Sequence, residues 1–208
     1  MNSPHHPALH TKGPDRRVQR TRRLLHSALM SLIVQKKYEL ITVQEVLDRA
    51  DVGRSTFYMH FRDKDDLLFS GFEYLQNLLD STQAAHGTAP GKSYEKIIGF
   101  SSAMFEHAQE YRRVNRALLG SSAEAVVRRR IHSVLAGFVS RELKSELEQR
   151  KGRRIPISPE LLVHFLVSSY ISVLMWWLNC KNQLSPAEVD SSYRQLVLPS
   201  LDAIFGTR

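Results

Sequence analysis

The stretch Thr42-Val43-Gln44-Glu45-Val46-Leu47-Asp48-Arg49-Ala50-Asp51-Val52-Gly53-Arg54-Ser55-Thr56-Phe57-Tyr58-Met59-His60-Phe61-Arg62-Asp63-Lys64 decides the reading of this chain. Thr42 followed three residues later by Glu45 is a capping box, in which the threonine hydroxyl accepts from the N3 amide and the glutamate reaches back to the cap. A short helix is therefore expected over 43–50. Asp51-Val52-Gly53 breaks it, and the segment from Arg54 to Phe61 has room for only two more turns before Asp63 offers a new N-cap. The result is two short helices joined by a tight glycine turn. Behind a longer helix, this is a helix-turn-helix arrangement, whose second helix enters the major groove of DNA while the first crosses the backbone.

The longer helix lies upstream. From Arg16 the apolar residues Leu24, Leu25, Ala28, Leu29, Leu32 and Ile33 recur at three- and four-residue spacing and form one stripe of an amphipathic helix. Arg16, Arg17, Arg20, Arg22 and Arg23 crowd its first turns, where they oppose the positive end of the helix dipole. An external anion offsets that cost. The formal charge of the 208 residues is +8, and residues 1–64 carry 12 basic against 6 acidic side chains, so most of the excess sits in this segment. A concentrated basic excess points to nucleic acid or another acidic surface. Residues 1–15, with three prolines and no periodicity, read as a disordered arm whose His5, His6 and His10 lack the fixed geometry a metal needs.

The chemistry of 54–64 strengthens the DNA reading. Arg54, Ser55 and Thr56 stand at the start of the second short helix, where side chains reach base edges. Arginine suits guanine bidentately, and a threonine methyl suits thymine. Tyr58, His60 and Lys64 can donate to phosphate, which fixes register without reading sequence. Phe57 and Phe61, four apart, are the inward anchors.

Downstream the chain reads as helices over 64–85, 93–108, 111–119, 122–150, 159–182 and 186–205, with no stretch that alternates as a strand. Ser158-Pro159 and Ser185-Pro186 each place a capping residue before a first-turn proline, and Ser185 with Glu188 is a second capping box. The expected fold is all-α: an arm over 1–15, a three-helix reading head over 16–63, and a larger helical domain over 64–208. Hydrophobic residues at 42% and charged residues at 24% match globular averages and exclude wholesale disorder.

The single cysteine, Cys180, permits no internal disulfide, and the N-terminus lacks an apolar signal core, so a cytoplasmic protein is expected. There is no Gly-x-Ser-x-Gly elbow, phosphate-cradling glycine loop or His-Glu-x-x-His spacing, so no catalytic residue, metal site or cofactor is expected. Leu161 to Cys180 runs 20 positions without a charge, the length of a membrane span. However, His164, Ser168 and Ser172 lie on one small-polar seam, which favours a buried helix with Trp176 and Trp177 in core or pocket. A membrane-associated helical protein is the lesser alternative.

The sequences Thr42-Val43-Gln44-Glu45-Val46, Ala50 to Phe61 and Asp63-Lys64-Asp65-Asp66-Leu67-Leu68 together resemble the signature of the TetR family of bacterial transcriptional regulators, over about Arg16 to Leu68. The resemblance implies that Arg54, Ser55 and Thr56 address bases while Thr42, Tyr58, His60 and Lys64 hold phosphates of double-stranded operator DNA. It also implies a homodimer formed through the last two helices, on a partly palindromic operator. Ser168, Ser172, Leu196 and Leu201 are the expected interface residues, within an apolar row of Val189, Leu196, Leu198, Leu201, Ile204 and Phe205.

A small-molecule effector in a central pocket is implied as well, with Phe100, Met104, His107, Leu135, Phe138, Tyr170 and Trp177 as lining by side-chain type. The mechanism implied is a population shift that releases a repressor, with the helix over 64–85 as lever. Control of the same fold by a protein partner is the alternative.

Overall fold

The computed structural model of the chain describes residues 16–86, 92–150, 155–180 and 184–206. The expected arm over 1–15, with its three histidines, lies outside the described residues, as does Asn182. Helices account for the regular structure, and there is no strand among the described residues.

The first unit is built from α1 (Arg16–Gln35), a 3-10 turn (Tyr38–Leu40), α2 (Val43–Ala50) and α3 (Arg54–Tyr58). Its core gathers Leu25, Leu29, Ile33, Val46, Leu47, Phe57 and Phe61. Leu25, Val46 and Phe57 are sealed completely, and burial of each such side chain is worth about 1.5 to 3 kcal/mol. Leu24, expected on the apolar stripe, is instead 44% exposed, because the stripe is narrower than the run of leucines and ends at Leu25.

The second unit begins with α4 (Lys64–His86) and continues through a 3-10 segment (Ser93–Ile98), α5 (Ser101–Glu110), α6 (Arg112–Leu118), α7 (Glu124–Gln149), α8 (Pro159–Asn179) and α9 (Pro186–Phe205). The single helix expected over 93–108 is therefore two pieces. The tighter 3-10 winding turns Tyr94, Ile97 and Ile98 all into the core, and the α-helix starts only after Gly99. The helix expected to reach 182 stops at Asn179, where Cys180 becomes extended. Ser158 and Ser185 cap α8 and α9 as their sequences require.

Two cores meet inside α4. Leu67 and Leu68 in its first turn pack into the small core, Phe72, Leu75 and Leu79 into the large one, and Phe69 touches both. Leu118 at the end of α6 and Ala123 before α7 also join the small core. The Ser122 amide there donates to the Glu39 carboxylate, so the α6–α7 turn is a second tie to the first unit, besides the covalent one through α4.

α8 is long and apolar enough to cross a membrane by length and composition alone. It packs along α7 and α9 and buries Leu162, Leu166, Val167, Tyr170, Ile171, Leu174, Trp177 and Leu178 among them, as the core helix of a globular domain does. Trp177 is sealed, but Trp176, expected in core or pocket, is 54% exposed because one step along the helix turns it about 100° away from the core.

Candidate functional site

The capping box closes as written: Thr42 Oγ1 accepts from the Glu45 amide at 3.3 Å and donates to Glu45 Oε2 at 2.9 Å, while the Thr42 amide donates to the same oxygen at 2.9 Å. Lys36 pairs with the other Glu45 oxygen. With that cation first and the Thr42 donors next, the carboxyl is held down at about 2. Both Thr42 donors are thus committed to the start of α2.

The turn differs from the expected glycine turn. The left-handed residue is Asp51, at φ 51°, whose amide donates back to the Leu47 carbonyl, whereas Gly53 has φ −67° and serves as the N-cap of α3. Aspartate tolerates this region better than most residues, which is why it can end the helix. A methyl group on Gly53 would meet nothing within 4 Å, so within the protein the missing side chain leaves open surface at the mouth of the reading helix.

α3 is anchored by Phe57 and Phe61, whose rings lie 5.8 Å apart, and this turns the intervening residues outward. Tyr58 is 53% exposed and braced edge-on against Phe57 at 5.3 Å. Arg54 and Ser55 are exposed, and Thr56 and His60 are half-buried. Thr42 is exposed as well. Met59, passed over in the sequence, is the most exposed large apolar side chain of the head at 79%. Its signal was present, since the Phe57–Phe61 spacing requires 58 and 59 to face out.

Lys64 stands apart. Its ammonium donates to the carbonyls of Tyr38 at 2.8 Å and Ile41 at 3.0 Å, with Glu39 at 3.4 Å, and lies 4.5 Å from the Tyr38 ring centre. It therefore fastens the segment preceding α2 to the start of α4. Asp63 caps α4 through the Asp66 amide at 2.7 Å.

Behind the head lies a cavity of about 820 Å³, walled by α1, α4, α5, α6, α7 and α8. Of the residues expected to line a pocket, Met104 and His107 do so. Phe100, Leu135, Phe138, Tyr170 and Trp177 do not: each is 2% exposed or less, packed in the large core. Aromatic packing explains the difference. Tyr170 sits 5.1 Å from Phe100, 4.8 Å from Phe105 and 5.6 Å from Tyr193, and Trp177 turns its indole N–H to the Leu184 carbonyl at 2.9 Å.

Among the cavity residues that the sequence did not disclose are several from α1. Arg22, Arg23 and His26 line it from that side, and Gly71 of α4 faces His26 so closely that a Cβ there would lie 2.6 Å from the imidazole Nε2. Burial holds both His26 and His107 below the ordinary histidine range; at His107 the Glu110 carboxylate opposes the shift and His26 adds to it.

Of the residues expected at a dimer interface, Ser172 and Leu196 are exposed and Ser168 is half-buried. Leu201 is fully buried, as are Val189 and Phe205 of the same row, because α9 turns them onto α5 and α8 within one chain. What remains outside is a stripe on α8 of Leu161, Phe165, Ser172 and Trp176, with Leu196 outward on α9.

The head and its placement on a larger helical body define a helix-turn-helix DNA-binding transcriptional regulator. Residues 25–70 match the sequence model of the bacterial regulatory proteins of the tetR family, and residues 95–197 that of a transcriptional regulator C-terminal region. The chain belongs to the TetR family and is a regulator, not an enzyme.

Solved structures agree. A TetR transcriptional regulator from Streptococcus agalactiae is 28% identical, with a TM-score of 0.60 over 88% of this chain and 96% of that one. The fatty acid degradation regulator FadR from Bacillus halodurans, at 18% identity and a TM-score of 0.69 over 92% and 98%, shares the fold. So does RolR, solved with resorcinol, at 19% identity and 0.58 over 90% of each chain. An HTH-type regulator of Bacillus subtilis, YxbF, is 38% identical over 58 residues, a match that spans 27% of this chain and only 15% of that protein.

Proposed function

We propose that this regulator acts as a homodimer on a two-fold operator and that a small molecule bound behind the reading head changes its affinity for DNA, in the sense of a ligand-released repressor. The observation that carries the reading is the cavity whose walls come from both units, α1 on one side and α5 to α8 on the other. A ligand there has different contacts whenever head and body shift, and a difference in contacts is what moves a two-state equilibrium.

Arg54, Ser55 and Thr56 are assigned to base edges and Tyr58 and His60 to phosphates. Thr42 and Lys64 act mainly by shaping the head, since their donors are already engaged within it. The exposed stripe of α8, with Leu196, supports self-association, because a run of large apolar residues is otherwise costly in water. Such a protein works in the cytoplasm, where the chromosome lies, with α8 in its own core instead of a membrane.

The test is binding of the purified protein to a labelled fragment from upstream of its own gene, at two salt concentrations and with unrelated DNA as competitor. Competitor-resistant binding that weakens with salt is expected. Binding erased by competitor, on that fragment and on pools selected from random DNA, would remove sequence-specific operator reading.

A further inference from the structure

The cavity is chemically lopsided. Its α1 wall presents Arg22 and Arg23, whereas the walls from α5, α7 and α8 present Met104, Ile131, Leu174 and Leu178. Among the described residues two carboxylates line it, and both accept hydrogen bonds. Glu73 accepts from Arg22 at 3.0 Å through each oxygen, and Glu124 accepts the Gly120 amide at 2.6 Å. Glu73 takes both of its bonds from one nitrogen, Nη2, so Arg22 keeps its Nε and Nη1 donors without an acceptor among the described residues. Arg23 has no carboxylate partner there at all. The lining as a whole is formally balanced, two arginines against two carboxylates, but the charged groups of its α1 wall are the arginines alone, and the remaining Arg22 donors and the Arg23 guanidinium offer single charge-assisted bonds to an anion.

Resting on the reading of this cavity as an effector site, we propose that it takes an apolar molecule bearing one carboxylate, the carboxylate on Arg22 beside Arg23 and the apolar body against α5, α7 and α8. Neutral and cationic head groups on the same body are excluded for different reasons. A neutral one leaves the guanidinium edge unpaired, and a cationic one meets it with like charge. Glu73 is the internal rival: it repels the incoming carboxylate and draws on the same side chain. Arg22 also lies 5.3 Å from the centre of the Phe61 ring, three residues beyond the end of the reading helix. The anchor of the ligand is thus a side chain that already touches the head.

Calorimetric titration of the full chain with decanoate, decanol and decylamine, all below their micelle concentrations, tests the assignment with one tail and three heads. Decanoate is expected to bind about tenfold or more tighter than the other two. Arg22→Gln should bring decanoate down to the affinity of decanol and leave decanol unchanged, which also certifies that the variant is folded. Glu73→Gln should strengthen decanoate about two- to fivefold, the worth of a partly exposed ion-pair partner. Equal binding of the three heads, no binding of any, or decanoate binding untouched by Arg22→Gln would overturn the proposal. A chain that reads DNA but refuses decanoate sinks this inference alone, whereas one that takes decanoate with no change in DNA affinity sinks the effector reading.

Discussion

Lys64 shows how one side chain divides between fold and function. Its ammonium reaches 26 residues back to the Tyr38 carbonyl, so its loss leaves half-buried acceptors without a donor. Lys64→Ala is expected to lower stability by about 1 to 3 kcal/mol in urea unfolding, before any DNA is added. A stability unchanged from the parent would return Lys64 to a purely DNA-facing part. Gly71 is a second such residue. In Gly71→Ala the new methyl pushes on the His26 ring, while a glycine leaving a helix interior gains about 0.5 to 1 kcal/mol. In the parent the two effects are expected nearly to cancel, and in a His26→Ala background the gain should show in full. Equal effects of Gly71→Ala in both backgrounds would mean that the ring gives way freely.

Among the elements, α8 does two jobs with two faces. Trp177 and Leu174 close the core, and Leu161, Phe165 and Trp176 point outward. On the proposed dimer reading the outward face is covered by a second copy, which accounts for its lack of charge. Trp176→Glu combined with Leu196→Glu is expected to leave the helical content intact and to weaken self-association about thirtyfold or more, measured by sedimentation velocity. Dimers persisting at the same concentration would put the interface elsewhere. The α3 element, by contrast, owes its outward surface to two aromatic anchors, since five residues cannot hold themselves as a helix without packing.

At the scale of the whole molecule, the cavity between head and body makes stability depend on pH. His26 and His107 are both held below the ordinary value near 6.5 by burial, so the unfolded chain binds protons that the folded one refuses. Their contribution is complete above about pH 6.5 and is lost as pH falls below it toward the folded values. Carboxylates such as Glu45 and Asp66, held low by their donors, titrate further down. Urea midpoints should therefore fall between pH 7 and pH 5, and the fall should flatten in a His26→Asn, His107→Asn double variant. The same slope in that variant would place the titrating groups elsewhere.

The sequence by itself determined what nearest neighbours dictate. The Thr42–Glu45 and Ser185–Glu188 boxes, the Ser158–Pro159 start, the bounds of α2 and the outward turn of Tyr58 all follow from groups within four residues of one another, whose geometry the local chain sets almost alone. Tertiary structure decided what distant segments must settle between them. Asp51, not Gly53, took the left-handed position once Phe57 was drawn into the core. Phe100, Tyr170 and Trp177 stacked into a solid core while Arg22, His26 and Gly71 were left to wall the cavity. Leu201 went inside and Leu196 outside, although periodicity placed both in one apolar row. Apolar character says that a side chain avoids water, but which neighbour covers it depends on how helices from opposite ends of the chain cross.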